Sequence, residues 1–266
     1  MSFADNFRRG ECVHRIRSIH GFTLLELLIA LTIGLVVLAA ALAVYGSSSR
    51  ATQLSQIETQ LNEDGILAVN LIQQQLKQAG YSQQVIPSSG ATVMGNFFGP
   101  AVRGCDGGFA DDGVAFASLA CVPDGTGSGI DAIAVRYEAT AENTGSTSGG
   151  AAVNCVGNGI PVTATPQVAP APSPAPPRYA LADNRYKITN NGGQPMLSCR
   201  GPEANGTSGG MGTSQPLLAN IENMQLLYGI ASRPSAELAA AYDPMKHQIV
   251  SYLSASGIDA LPSTGG

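Results

Sequence analysis

The sequence predicts an α+β fold in which one long N-terminal helix lies against an antiparallel β-sheet joined by long loops. Three observations predict it. An apolar run of 24 residues, Phe22 to Tyr45, leads into a stretch with helical hydrophobic spacing. Strand-like alternation begins only after that stretch, so helix comes first and strands later, the order of an α+β domain. Glycine and proline, 32 and 16 of the 266 residues, are abundant enough to demand long irregular connections.

Composition narrows the class. Hydrophobic residues make up 44% of the chain, enough to build a core and too many for a disordered polymer. The net charge of -5 and a pI near 5.1 leave no basic footprint, so no nucleic-acid partner is predicted. Three histidines (His14, His20, His247) and no tryptophan offer little catalytic or metal-binding material. His247 has no identifiable Cys or Ser partner. The chain is predicted to be structural, with no catalytic residue, no metal and no cofactor.

The first element is the apolar helix. Residues 1–21 carry Arg8, Arg9, Arg15 and Arg17 against Asp5 and Glu11, and the remaining residues are more acidic than the whole. Phe22 to Tyr45 comes next with a single charged side chain, Glu26. As a helix these 24 residues span about 36 Å, enough to cross a hydrocarbon core about 30 Å thick. A basic flank before the span keeps the N-terminus cytoplasmic and exports the C-terminal part. A cleaved secretory signal fits poorly, because the apolar region is too long and no A-x-A site precedes a polar stretch.

Glu26 is the informative residue, since a carboxylate in an apolar run costs about 2.5–3.5 kcal/mol on insertion scales. Placed near the helix start, it also complements the helix dipole. Its surroundings, Gly21-Phe22-Thr23-Leu24-Leu25-Glu26-Leu27-Leu28-Ile29-Ala30, resemble the class III signal of type IV pilins and type II secretion pseudopilins. That resemblance implies cleavage between Gly21 and Phe22 by a prepilin peptidase and N-methylation of Phe22. It also implies an assembly role for Glu26, whose carboxylate would pair with the N-terminal amine of a neighbouring subunit, as a buried ion requires. The leader of 21 residues is longer than most of its kind.

Beyond the span the helix is expected to continue. Leu54, Ile57, Leu61, Ala68, Ile72 and Leu76 recur at helical intervals, with Leu71 widening the face. Gly80 is a natural stop. Phe22 to Ala79 would be one helix of about 87 Å if unbroken. Gly34, Gly46 and Gly65 loosen this reading without ending it.

The region after the helix reads as disulfide-stapled. Cys12 falls in the leader, which leaves Cys105, Cys121, Cys155 and Cys199 and three possible connectivities. Pairing of nearest neighbours, Cys105–Cys121 and Cys155–Cys199, is preferred because each pair brackets one loop segment. No close C-x2-4-C pair supports zinc. Asp106, Asp111, Asp112 and Asp124 sit in glycine-rich loops at spacings unlike an EF-hand, so they read as surface-turn residues. Asn205-Gly206-Thr207 matches a glycosylation pattern common by chance.

Strands are expected at Ile130–Tyr137, with Ile133, Val135 and Tyr137 on one face, and through Met224, Leu226, Tyr228 and Ile230. Tyr186-Lys187-Ile188 and Met196-Leu197-Ser198 flank Asn190-Asn191-Gly192-Gly193, a hairpin signature. Asn143–Gly150, Pro161–Pro177 with seven prolines, and Gly201–Gly212 read as connectors.

Three further segments resemble the minor pilin W family: Leu76 to Tyr81 (LKQAGY), Tyr186 to Arg200, and Ile221 to Gly229 (IENMQLLYG). The resemblance implies a type IV pilin-like fold and four regions. These are a leader (1–21), the membrane-spanning half of the helix (22–45), its amphipathic half (46–80) and an exported β-rich domain (81–266). Implied partners are the prepilin peptidase, other minor pilins, the major pilin, the inner-membrane assembly platform, and the lipid bilayer before assembly. The J-type pseudopilin of type II secretion is similar in architecture. A membrane-anchored periplasmic binding or adhesive module is the reading from a different class. No G-x-x-x-x-G-K-[ST] loop occurs, so the assembly ATPase is excluded. The W family leads one to expect another apolar, Arg-containing strand after the Tyr228 region. The stretch up to Gly266 offers none, so the sheet is expected to be one strand short.

Overall fold

The computed structural model describes residues 21–85, 94–97, 99–123, 126–166, 177–204, 210–231 and 248–261. Arg8, Arg9, Cys12, His14, Arg15, Arg17, His20, Asp124, Asn205–Thr207, His247, residues 167–176 of the proline stretch and Pro262–Gly266 lie outside them. The chain divides into two compact units, Met1–Glu58 and Thr59–Gly266.

Helix α1 runs Leu24–Gln78, two residues shorter at its start and one at its end than the spacing predicts. It passes Gly34, Gly46 and Gly65 unbroken. After Gln78 the chain turns through Gly80, whose φ of +78° explains why glycine stands there.

The described strands of the second unit are β1 (Gln84–Val85), β2 (Met94–Gly95), β3 (Val102–Cys105), β4 (Ala132–Ala139), β5 (Ala180–Asn191), β6 (Gln194–Arg200), β7 (Gln215–Ala219), β8 (Tyr228–Ala231) and β9 (Ile249–Leu253). Strands β3 to β7 form one antiparallel sheet in sequence order, while β1–β2 and β8–β9 are separate two-stranded sheets. Of two short helices, α2 (Ala141–Thr144) lies between β4 and β5 and α3 (Ala255–Asp259) follows β9. Asn143–Gly150, read as a plain connector, begins inside α2, where Thr140 and Asn143 close a reciprocal cap.

One face of the sheet takes the helix. Ile133, Val135 and Tyr137 of β4, Ala182 and Tyr186 of β5, and Leu197 and Cys199 of β6 form the core. Ala68 of α1 joins it, with Leu71 and Ile72 packed alongside. A polar rivet sets the helix's position: Gln75 Oε1 accepts from Tyr137 Oη (3.0 Å) and Asn184 Nδ2 (2.8 Å). Burial pushes the Tyr137 hydroxyl up to about 12, against the opposing effect of those hydrogen bonds. Of the predicted stripe, Ala68 and Ile72 join this core, while Leu54, Ile57 and Leu61 are 63%, 53% and 51% exposed.

The hairpin forms as its turn residues require. Asn191 pairs with Gln194, and Gly192 and Gly193 between them have φ of +63° and +90°. Two strand readings need correction. The alternation at Met224 and Leu226 does not extend β8, because Asp131 occupies the backbone there. Its N–H donates to the Met224 carbonyl (3.0 Å), and its carboxylate accepts the Leu226 N–H (2.7 Å). A strand does come after the Tyr228 region: β9, Ile-Val-Ser-Tyr-Leu, pairs with β8 and carries no arginine. It lies in its own ribbon and adds nothing to the five-stranded sheet.

Candidate functional site

At the helix start, Glu26 and Thr23 are joined by local hydrogen bonds. Thr23 precedes α1, and its carbonyl accepts the first helical bond from the Leu27 N–H (3.2 Å). Thr23 Oγ1 accepts the Glu26 N–H (3.2 Å), while Glu26 Oε2 accepts the Thr23 N–H (3.2 Å) and hydroxyl (3.3 Å). This is the reciprocal capping box of a T-x-x-E start, satisfying two donors that a helix N-terminus leaves open. The sequence reading found Glu26 and overlooked Thr23, although the three-residue spacing was there to be read.

Around this cap no described residue covers the apolar side chains. Phe22 is 86% exposed, and every residue from Gly21 to Glu58 is exposed. A Cβ on Gly21 would meet no atom within 4 Å, so the fold itself places no demand for glycine there. An 18-residue apolar window of α1, long enough to cross a membrane, is wholly unburied.

The second unit contains the disulfides Cys105–Cys121 and Cys155–Cys199, at sequence separations of 16 and 44. It also contains a buried ionic layer that the sequence reading missed. On the sheet face away from the helix, Arg185 is 1% exposed and grips Asp183 through two nitrogens (3.0 and 2.6 Å). Its remaining nitrogen donates to the carbonyls of Asp112 and Val114 (2.8 and 2.7 Å). Asp112 receives Arg200 and Lys187, each at 2.7 Å. Burial works to raise the Asp112 carboxyl, yet the hydrogen bonds and charges of Lys187 and Arg200 outweigh it and hold it below the usual carboxylate range. Beside them the Arg136 guanidinium lies over Phe97 and Phe116, 5.0 and 4.2 Å from the ring centres.

Asp112 is thus a buried ion-pair anchor, which corrects its reading as a surface-turn residue. Asp106 and Asp111 are occupied separately. Asp106 accepts the N–H groups of Ala255 (2.9 Å) and Ser256 (3.0 Å) at the start of α3, and Asp111 accepts the Gly113 N–H (2.7 Å). Among the described residues no group of three or more His, Cys, Asp or Glu side chains is placed to hold a metal ion. An apolar groove of about 590 Å³ lies between α1 and the 220–226 segment, where Leu61, Ile72, Leu197 and Met224 line it with one ionisable side chain, Glu222.

Residues 185–264 match the family model described as type IV pilus-assembly protein W, and residues 16–42 match the prokaryotic N-terminal methylation motif. No curated protein matches the chain, and no solved structure does. The first match begins in β5 and takes in the hairpin, β7, the β8–β9 ribbon and α3; the second covers the capped helix start and most of the apolar run. Together with the long apolar helix and the antiparallel sheet, these matches support a type IV pilin-like minor pilin, similar to the W family.

Proposed function

We propose that the chain is a non-catalytic minor pilin that joins the complex priming type IV pilus assembly. In this reading prepilin peptidase removes residues 1–21 and methylates the new amine of Phe22. Residues 22–45 then hold the subunit in the inner membrane as a single pass, residues 46–80 continue the helix, and residues 81–266 lie in the periplasm. Other minor pilins, the major pilin and the assembly platform are its partners, and it ends in the pilus at the cell surface. The observation that carries the reading is the capped start Gly21–Glu26 at the head of a helix whose apolar side chains as far as Glu58 are all uncovered. Such a surface needs lipid first and other helices later.

Gly21 gives the test. No described residue crowds it, so a side chain there leaves the fold intact and acts only on the peptidase. Gly21→Val is expected to leave an uncleaved precursor, heavier by roughly 2 kDa given 27.2 kDa over 266 residues. The measurement is the mass of the membrane-bound chain in cells with and without the peptidase. Normal cleavage of Gly21→Val, or identical masses in the two strains, rules the processing step out.

A further inference from the structure

The β8–β9 ribbon and α3 are tied to the sheet by a carboxylate at either end. At the near end Asp131, just before β4, donates its N–H to the Met224 carbonyl (3.0 Å) and accepts the Leu226 N–H (2.7 Å), with Met224 itself in the core. At the far end Asp106, just after β3, accepts the N–H groups of Ala255 and Ser256 (2.9 and 3.0 Å) and the Ser256 hydroxyl (2.5 Å). Between these ties the packing is poor. Ile249, Val250 and Tyr252 are exposed, so the ribbon buries little hydrocarbon, and a two-stranded ribbon is marginal in water. A cavity of about 230 Å³ has Val102, Arg103 and Gly104 on the sheet side and Tyr228, Ala255 and Ile258 on the other. Arg103 Nε and Tyr228 Oη, from opposite walls, are buried without a hydrogen-bond partner among the described residues. Burial, followed by the charges of Asp131 and Asp106, pushes the Tyr228 hydroxyl up to about 12, so it stays a donor with nothing to donate to. A buried polar group left unbonded penalises the state that buries it.

We propose that β8, β9 and α3 form a strap that opens as one unit from the β3 end of the sheet, with Met224–Leu226 as its hinge and Asp106 as its clasp. The closed state gains the hydrogen bonds at Asp106 and loses the solvation of Arg103 Nε and Tyr228 Oη; the open state reverses both. Opposed terms of this kind leave a small gap, which lets a segment open while the rest of the domain stays folded. The hinge remains with the core, because Met224 is buried there and Asp131 pins the backbone on both sides of Gln225. Opening bares Val102, Arg103 and Gly104, the cavity wall that the closed form hides. The device lies wholly in the second unit, so it stands or falls apart from the pilin reading.

The test is hydrogen exchange, read by mass spectrometry on the full chain in detergent micelles. In the wild type the amides of β8, β9 and α3 should share one level of protection, lower than that of β4 to β6. Asp106→Ala should cut that shared protection about tenfold or more, in β8 and β9 as well as in α3, and leave β4 to β6 unchanged. Ser256→Ala removes only the hydroxyl donor and should act in the same direction more weakly, which keeps the test readable if Asp106→Ala misfolds. Tyr228→Phe deletes the unbonded hydroxyl and keeps the ring, so it should raise the protection of the same amides about threefold or more. A tyrosine that merely packs would give no gain. Loss confined to the Ala255 and Ser256 amides, an equal loss in β4 to β6, or no gain with Tyr228→Phe overturns the proposal.

Discussion

In the single chain the Glu26 carboxylate already serves Thr23, which changes what its loss should do. Glu26→Gln keeps an acceptor oxygen for the Thr23 N–H and removes only the charge, whereas Glu26→Ala removes both. If the charge serves pairing with a neighbour's Phe22 amine, both variants should insert and be cleaved normally yet recover pilin partners poorly from membranes holding equal amounts of each. Undiminished recovery with Gln would leave the cap as the only role of Glu26. Asp112 makes a separate prediction. Asp112→Asn strands Lys187 and Arg200 and should cost about 2 kcal/mol, below the 3–5 of a fully buried pair because Lys187 is 32% exposed. Its folded pKa lies below the ordinary Asp value of 3.8, so its stabilisation is complete above that value and lost as pH falls through the lower, folded one. Urea titrations should show the wild type and Asp112→Asn converging below pH 3.8. A gap unchanged at acid pH would mean that packing, and not charge, holds Asp112.

Among the elements, those governed by local chemistry were legible in advance. The Asn190–Gly193 turn announced its hairpin because two consecutive residues with positive φ nearly require glycine. The helix was legible from its period and its glycine stop. What failed was long-range. Met224 and Leu226 alternate like a strand, but Asp131, far away in sequence, takes their backbone partners. The ionic layer escaped for the same reason: Asp112 pairs with Lys187 and Arg200, and nothing near it in sequence reports on either. The disulfides test how the staples divide their work. In the chain-entropy model, closing separations of 16 and 44 residues is worth about 3 and about 4 kcal/mol. Replacing Cys155 and Cys199 by alanine together should therefore lower the urea midpoint more than replacing Cys105 and Cys121. The reverse order would locate the stabilisation in native packing around Cys105.

For the whole molecule, the decisive comparison is a gene deletion scored for surface pili and for exported enzymes. Loss of pili with normal secretion supports the minor-pilin reading; loss of secretion with normal pili transfers the chain to the J-type pseudopilins. Normal results in both leave a membrane-anchored binding module. Each unit has its own solvent problem, with exposed hydrocarbon in residues 21–58 of the first and a sheet buried on both faces in the second. The two sheet faces differ in kind, one mostly hydrocarbon apart from the Gln75, Tyr137 and Asn184 bonds and one held by Arg185, Asp183 and Asp112. Exposing apolar surface raises the heat capacity of unfolding, while exposing polar surface lowers it. A sheet that hides charge on one side therefore unfolds with a smaller heat-capacity change than one packed in hydrocarbon on both. Its stability curve is correspondingly shallow, so the second unit should hold its shape over a broad band of temperatures, on the cold side as well as the hot.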